Sequence, residues 1–143
     1  MKKARLSFLA DALEETIDGW QQFYNTRTGE VESIPDSDNT YAEIDEYEEL
    51  AEKIDTSDDY VRLPSQWDIH EYRIMEAFAE AKASDVLLRV LRGRKPYRHF
   101  KDKIIDLDMD QAYYDFRQGE YYEISRRWCE AHDIPYYDDQ QLK

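Results

Sequence analysis

The sequence predicts an α+β fold: a small three-stranded antiparallel sheet with N-terminal helices and a helical C-terminal module. Three observations carry that expectation. Two β-type runs flank a glycine turn near residue 26, and a third short run stops at Pro64. From Ser65 onward the apolar residues recur at helical intervals almost to the end.

Leu6, Leu9, Leu13 and Ile17 fall three and four apart, which is one face of a first helix, and Gly19 then punctuates the chain. Trp20–Asn25 and Glu30–Ile34 read as strands around Thr26-Arg27-Thr28-Gly29, where glycine accepts positive φ. Pro35 to Asn39 is a polar loop. Thr40 stands three residues before Glu43, a capping-box spacing that opens a helix through Tyr47, Ala51 and Ile54. Tyr60 to Leu63 forms the third strand.

Ser65 caps the next helix, whose expected buried stripe is Trp67, Ile74, Met75, Phe78 and Ala81. Ser84 and Asp85 restart a shorter helix, closed by Gly93. Pro96 suits the first position of another, reaching about Ile105 through Tyr97, Phe100 and Ile104. Asp110 caps the last, with Tyr113, Phe116, Ile124 and Trp128 on its inner face. Residues 1–143 make one domain: an acidic half over 1–63, a helical module over 64–134 and a tail over 135–143 expected to fray.

Composition sets outer limits. Leu, Ile, Val and Phe number 29 of 143 residues, low enough that burial must draw on the 12 Tyr and 3 Trp. Acids outnumber bases 33 to 19, a net charge of −14 that repels nucleic acid and anionic membrane over most of the surface. The single cysteine, Cys129, has no internal partner, so a reducing, cytoplasmic setting is expected. The opening apolar stretch is broken at Asp11, too early for a secretory signal, and no membrane span is readable.

The charge is segregated. Between Arg89 and Lys103 stand seven bases against Asp102 alone, a net of +6, whereas 1–63 holds 6 bases and 17 acids. Arg92, Gly93, Arg94 and Lys95 lead into a helix whose N-terminal amides and dipole favour an anion. Arg92, Arg94, Lys95, Arg98, His99 and Lys101, with Arg117 from the last helix, are the candidate anion- or partner-binding residues. Guanidinium groups supply forked donors, and Tyr97 and His99 offer rings for stacking. The competing reading pairs these cations internally, with the acids at 45–49 or with Asp106, Asp108 and Asp110.

Catalytic and metal constellations do not assemble. Asp106-Leu107-Asp108-Met109-Asp110 begins like a calcium loop but has Gln111 where glycine is required and Arg117 where a bidentate glutamate is required. His70, His99 and His132 lack zinc-ligand spacing. Cys129 and His132 share a helical face, yet a buried thiol packed as a small hydrophobe explains the pair more simply. With four glycines there is no phosphate loop, so no catalytic residue, metal or cofactor is expected.

Gly93-Arg94-Lys95-Pro96-Tyr97-Arg98-His99-Phe100-Lys101-Asp102, followed by Tyr113-Tyr114-Asp115-Phe116-Arg117, resembles a bacterial family of uncharacterised proteins. That family pairs a Gly-Arg…Phe-Arg-x-Phe-Lys-Asp segment with a later Trp-Tyr-x-Phe-Arg motif. Tyr97 replaces its usual Phe and Tyr113 its usual Trp. The similarity runs from about Leu6 to Ile134 and implies bacterial origin and a shared fold, with no catalytic residues to carry over. From the two amphipathic faces, Phe100 and Phe116 are expected to pack together with Arg117 near the basic loop.

The favoured expectation is a non-catalytic binding or regulatory domain that presents the 89–103 segment to an anionic partner, protein or nucleic acid. A small phosphate-handling enzyme using Arg94, Arg98 and Arg117 is the alternative, and an acidic decoy that mimics nucleic acid is a third. Composition leaves the oligomeric state open.

Overall fold

Residues 1–36 and 44–139 are described by a computed structural model. The α+β class holds: a three-stranded antiparallel sheet, with Trp20–Asn25 between Val31–Pro35 and Tyr60–Arg62, accompanies N-terminal helices and a helical C-terminal module. The expected cap at Thr40 and Glu43 lies outside the described residues. Two compact units emerge, Met1–Ile69 with Tyr121–Lys143, and His70–Glu120.

In the first unit, α1 (Leu6–Glu14) buries Leu6, Leu9 and Leu13 on one stripe. Ile17 lies beyond the helix end and is exposed, so the expected face stops a turn early. β2 (Trp20–Asn25) pairs antiparallel with β3 (Val31–Pro35), in register from Trp20–Pro35 to Tyr24–Val31. The turn between them is fixed by Asn25, whose Oδ1 accepts from the backbone of Arg27 and Thr28, and by Gly29 at φ +80°. A 3-10 turn, Ile44–Tyr47, leads into α2 (Glu48–Thr56), and β4 (Tyr60–Arg62) completes the sheet on the far side of β2.

The continuous helix expected after Ser65 is two helices. A short α3 (Gln66–Ile69) ends at His70, which adopts a left-handed conformation (φ 55°), and α4 (Glu71–Ala81) starts afresh. Ile74, Met75 and Phe78 of α4 are buried as expected, Ala79 is buried where Ala81 is exposed, and Trp67, on the separate α3, is exposed.

Within the tail expected to fray, the described residues 136–139 are held by strand pairing and hydrogen bonds. β1 (Ala4–Arg5) pairs in parallel with β5 (Tyr136–Tyr137). The Asp139 carboxylate accepts from the Ser7 amide (2.8 Å), the Ser7 hydroxyl and Arg5 Nε (3.2 Å). Arg5 gives α1 no side-chain cap, so a carboxylate about 130 residues away supplies one. Burial alone raises its pKa, but the hydrogen bonds from Ser7 and Arg5 outweigh that and hold it below the ordinary carboxylate value. Tyr24 packs edge-on against Trp128 at 5.7 Å, and Trp128 Nε1 donates to the Arg62 carbonyl.

The second unit contains α4, α5 (Asp85–Arg92), α6 (Pro96–Asp106) and the first half of α7 (Asp110–Ala131). Met109, rather than Asp110, occupies the α7 cap position, and its carbonyl accepts from Tyr113. Phe78 is the centre of an aromatic core, with ring centroids 5.3 Å from Tyr113, 5.5 Å from Phe116 and 6.5 Å from Phe100. Phe100 and Phe116 therefore each pack on Phe78, and Phe100 meets Tyr113 at 5.1 Å. Phe100 and Phe116, expected from the sequence to pack together, thus share the Phe78 ring in one aromatic cluster.

Candidate anion-binding surface

The basic segment is built from two helices whose ends are treated differently. α5 is matched to its dipole. Ser84 Oγ accepts from the Leu87 amide, Asp85 lies in the first turn, and Arg89 and Arg92 lie in the last. Gly93 ends it, donating its amide to the Val90 carbonyl. Lys95 then takes a left-handed conformation (φ 47°), which turns the chain into α6 with Pro96 in its first turn.

At the start of α6 the match is reversed. Lys95 sits at the cap position and makes no side-chain cap, the first turn contains no acid, and Arg98 lies within it. Arg94, Lys95 and Arg98 thus flank the positive end of the helix dipole along the chain, an arrangement that disfavours the helix unless an anion is present.

Of the residues singled out in the sequence, Arg92, Arg94, Lys95, Arg98 and His99 are exposed on this turn and its flanking helices. Among the described residues, Arg89, Arg92, Arg94, Lys95, Arg98 and Lys103 form no ion pair. Lys101 and Arg117 are separated from this group by their partners. Lys101 Nζ lies 3.5 Å from Glu71 Oε1, and Arg117 donates to Glu71 Oε2 at 2.9 Å. The Tyr113 hydroxyl donates to the same oxygen at 3.1 Å, and the Arg117 guanidinium lies over the Tyr114 ring, 4.8 Å from its centre.

Glu71 was not legible in the sequence as the acid that takes these cations. It opens α4 because His70 breaks the chain just before it, and no local signal foretells a left-handed histidine. Tyr72 is the second residue the sequence does not reveal. Its hydroxyl donates to the Leu91 carbonyl at 2.9 Å and its ring meets Tyr97 at 6.4 Å, fastening α4 to both sides of the basic turn.

Cys129 is fully buried, and burial first, then the Glu130 charge, pushes its thiol up to about 11. Such a thiol is protonated at neutral pH and is no nucleophile. The His132 ring packs on Trp128, with centroids 5.5 Å apart. Among the described residues no helix is long and apolar enough to cross a membrane. The chain matches no protein-family model, no curated protein and no solved structure.

Proposed function

We infer that the protein is a non-catalytic binding or regulatory domain whose His70–Glu120 unit offers the α5–α6 turn to an anionic partner, protein or nucleic acid. One observation carries this: Arg94, Lys95 and Arg98 stand at a helix N-terminus that has no side-chain cap and no acid in its first turn, and none of the three forms an ion pair among the described residues. Internal pairing accounts for Lys101 and Arg117 and leaves those three unexplained. Arg92 and Arg89 extend the surface along the end of α5, and the half-exposed Tyr97 adds a ring to it.

The phosphate-handling enzyme loses one of its three arginines, because Arg117 is held on Glu71 rather than free for substrate. The resemblance to a bacterial family is compatible with a binding role, and a reducing bacterial cytoplasm is the setting we propose for it.

Fluorescence anisotropy of labelled single- and double-stranded DNA and RNA, and of an acidic peptide, at two salt concentrations tests the reading. Binding to at least one probe that weakens steeply with salt is expected, since each neutralised phosphate contributes to the salt slope. Absence of binding to every probe at low salt, where the electrostatic attraction is strongest, would overturn it.

A further inference from the structure

Trp67 is 89 % exposed and Ile17 is 58 % exposed, although burying an indole is among the largest gains a side chain can make on folding. The backbone beneath Trp67 is firmly held. Asp68 Oδ2 accepts from both the amide and the hydroxyl of Ser65, and Ser65 Oγ accepts in return from the Asp68 amide. The Gln66 amide group donates to the Thr16 carbonyl, and Ile69 is buried. α3 is thereby fixed at three points while its one large ring stays in water.

Trp67, Ile17 and Trp20 line a cleft of about 240 Å³. Trp20 is itself braced edge-on by Tyr47, with centroids 5.4 Å apart. The volume falls short of the roughly 300 Å³ at which small-molecule sites begin, and suits a single long side chain. The charged lining consists of Asp18, Asp36 and Arg62, none of which forms an ion pair among the described residues. Two carboxylates against one guanidinium leave an unneutralised negative charge beside two indoles. The surrounding unit has 23 acids and 9 bases, so its field draws cations toward the cleft.

An indole face attracts a cation, and a planar guanidinium gains most, because it stacks on the ring and offers forked donors to carboxylates. We propose that the cleft is a docking site for an arginine side chain on a basic segment of a partner protein. The guanidinium lies against Trp67 and Trp20, with its N–H groups directed to Asp18 and Asp36. Arg62 limits the cleft to one cation. This site is independent of the basic turn in the other unit.

The test is an NMR titration of ¹⁵N-labelled protein with an end-blocked Gly-Ser-Arg-Ser-Gly peptide, and with peptides carrying Lys or Glu in place of Arg. The indole N–H signals of Trp67 and Trp20 are expected to shift saturably with the Arg peptide, less with Lys and not with Glu. Trp67→Ala, which removes a ring already in water, should weaken binding about tenfold, and Asp18→Asn with Asp36→Asn about threefold. Indole signals that stay still, or shifts undiminished in Trp67→Ala, would overturn the site in favour of diffuse attraction to acid. Sedimentation velocity closes the remaining route: a dimer that Trp67→Ala dissolves would assign the cleft to a second copy and refute an arginine-bearing partner.

Discussion

The unit formed by Met1–Ile69 and Tyr121–Lys143 contains 9 basic and 23 acidic residues, whereas His70–Glu120 contains ten of each. Composition alone would have the balanced unit neutralise itself. Instead Glu71 gathers Lys101 and Arg117, and the cations of the α5–α6 turn form no ion pair among the described residues. In the acid-rich unit a carboxylate has been recruited into the fold, with Asp139 capping α1 and pairing with Arg5. Pairing follows where helices begin and end, and overall charge balance does not determine it. α5 holds its arginines at a C-terminus, where the dipole suits them, and α6 places Arg98 at an N-terminus, where it does not.

Four changes sharpen or break this contrast. The largest effect is expected from Phe78→Ala, which removes the ring shared by Phe100, Tyr113 and Phe116. A loss of about 3–5 kcal/mol in urea unfolding is expected, and a loss below 1 kcal/mol would show that the core of His70–Glu120 lies elsewhere.

Glu71→Ala should cost about 1–3 kcal/mol, because it leaves Arg117 and the Tyr113 hydroxyl without this acceptor in a part-buried site. The same variant should bind anions more tightly, since Lys101 loses its carboxylate partner. Unchanged affinity in a folded Glu71→Ala protein would mean that Lys101 does not join the basic surface.

Asp139→Asn comes next, at about 1–2 kcal/mol near neutral pH. Because the folded pKa of Asp139 is depressed, its contribution is complete above the ordinary value near 3.8 and is lost as pH falls through the lowered one. Unfolding followed from pH 6 to pH 2 should therefore show a shallower acid loss in the Asn variant. Parallel curves for the two proteins would separate Asp139 from the acid response. The smallest effect is Arg98→Glu, which corrects the charge at the start of α6 and should raise the melting temperature by roughly 1–3 °C.

Much of the fold was legible because local chemistry and long-range packing agree. Trp20–Asn25 is a strand as read, the Thr26–Gly29 turn contains the required positive-φ glycine, and Ser84, Gly93 and Pro96 bound their helices as expected. Departures occur where a distant partner or a strained residue decides. A two-residue parallel pairing of Ala4–Arg5 with Tyr136–Tyr137 has no periodicity to detect. His70 separates α3 from α4 without glycine or proline, so the single helical stripe that spacing assigns to Trp67 and Ile74 does not form, and Trp67 is exposed. The basic residues of the candidate surface could be read from charge segregation. Their division into held and exposed groups depends on Glu71, one acid among the ten in its unit.

The central claim is that Arg94 and Arg98 are placed for a partner rather than for the fold. Arg94→Glu combined with Arg98→Glu tests it by following thermal unfolding and salt-dependent anisotropy on the same sample. The account expects a melting temperature equal to or above that of the parent, together with loss of anion binding. A folded double variant that binds every anionic probe with the parent's affinity would contradict it.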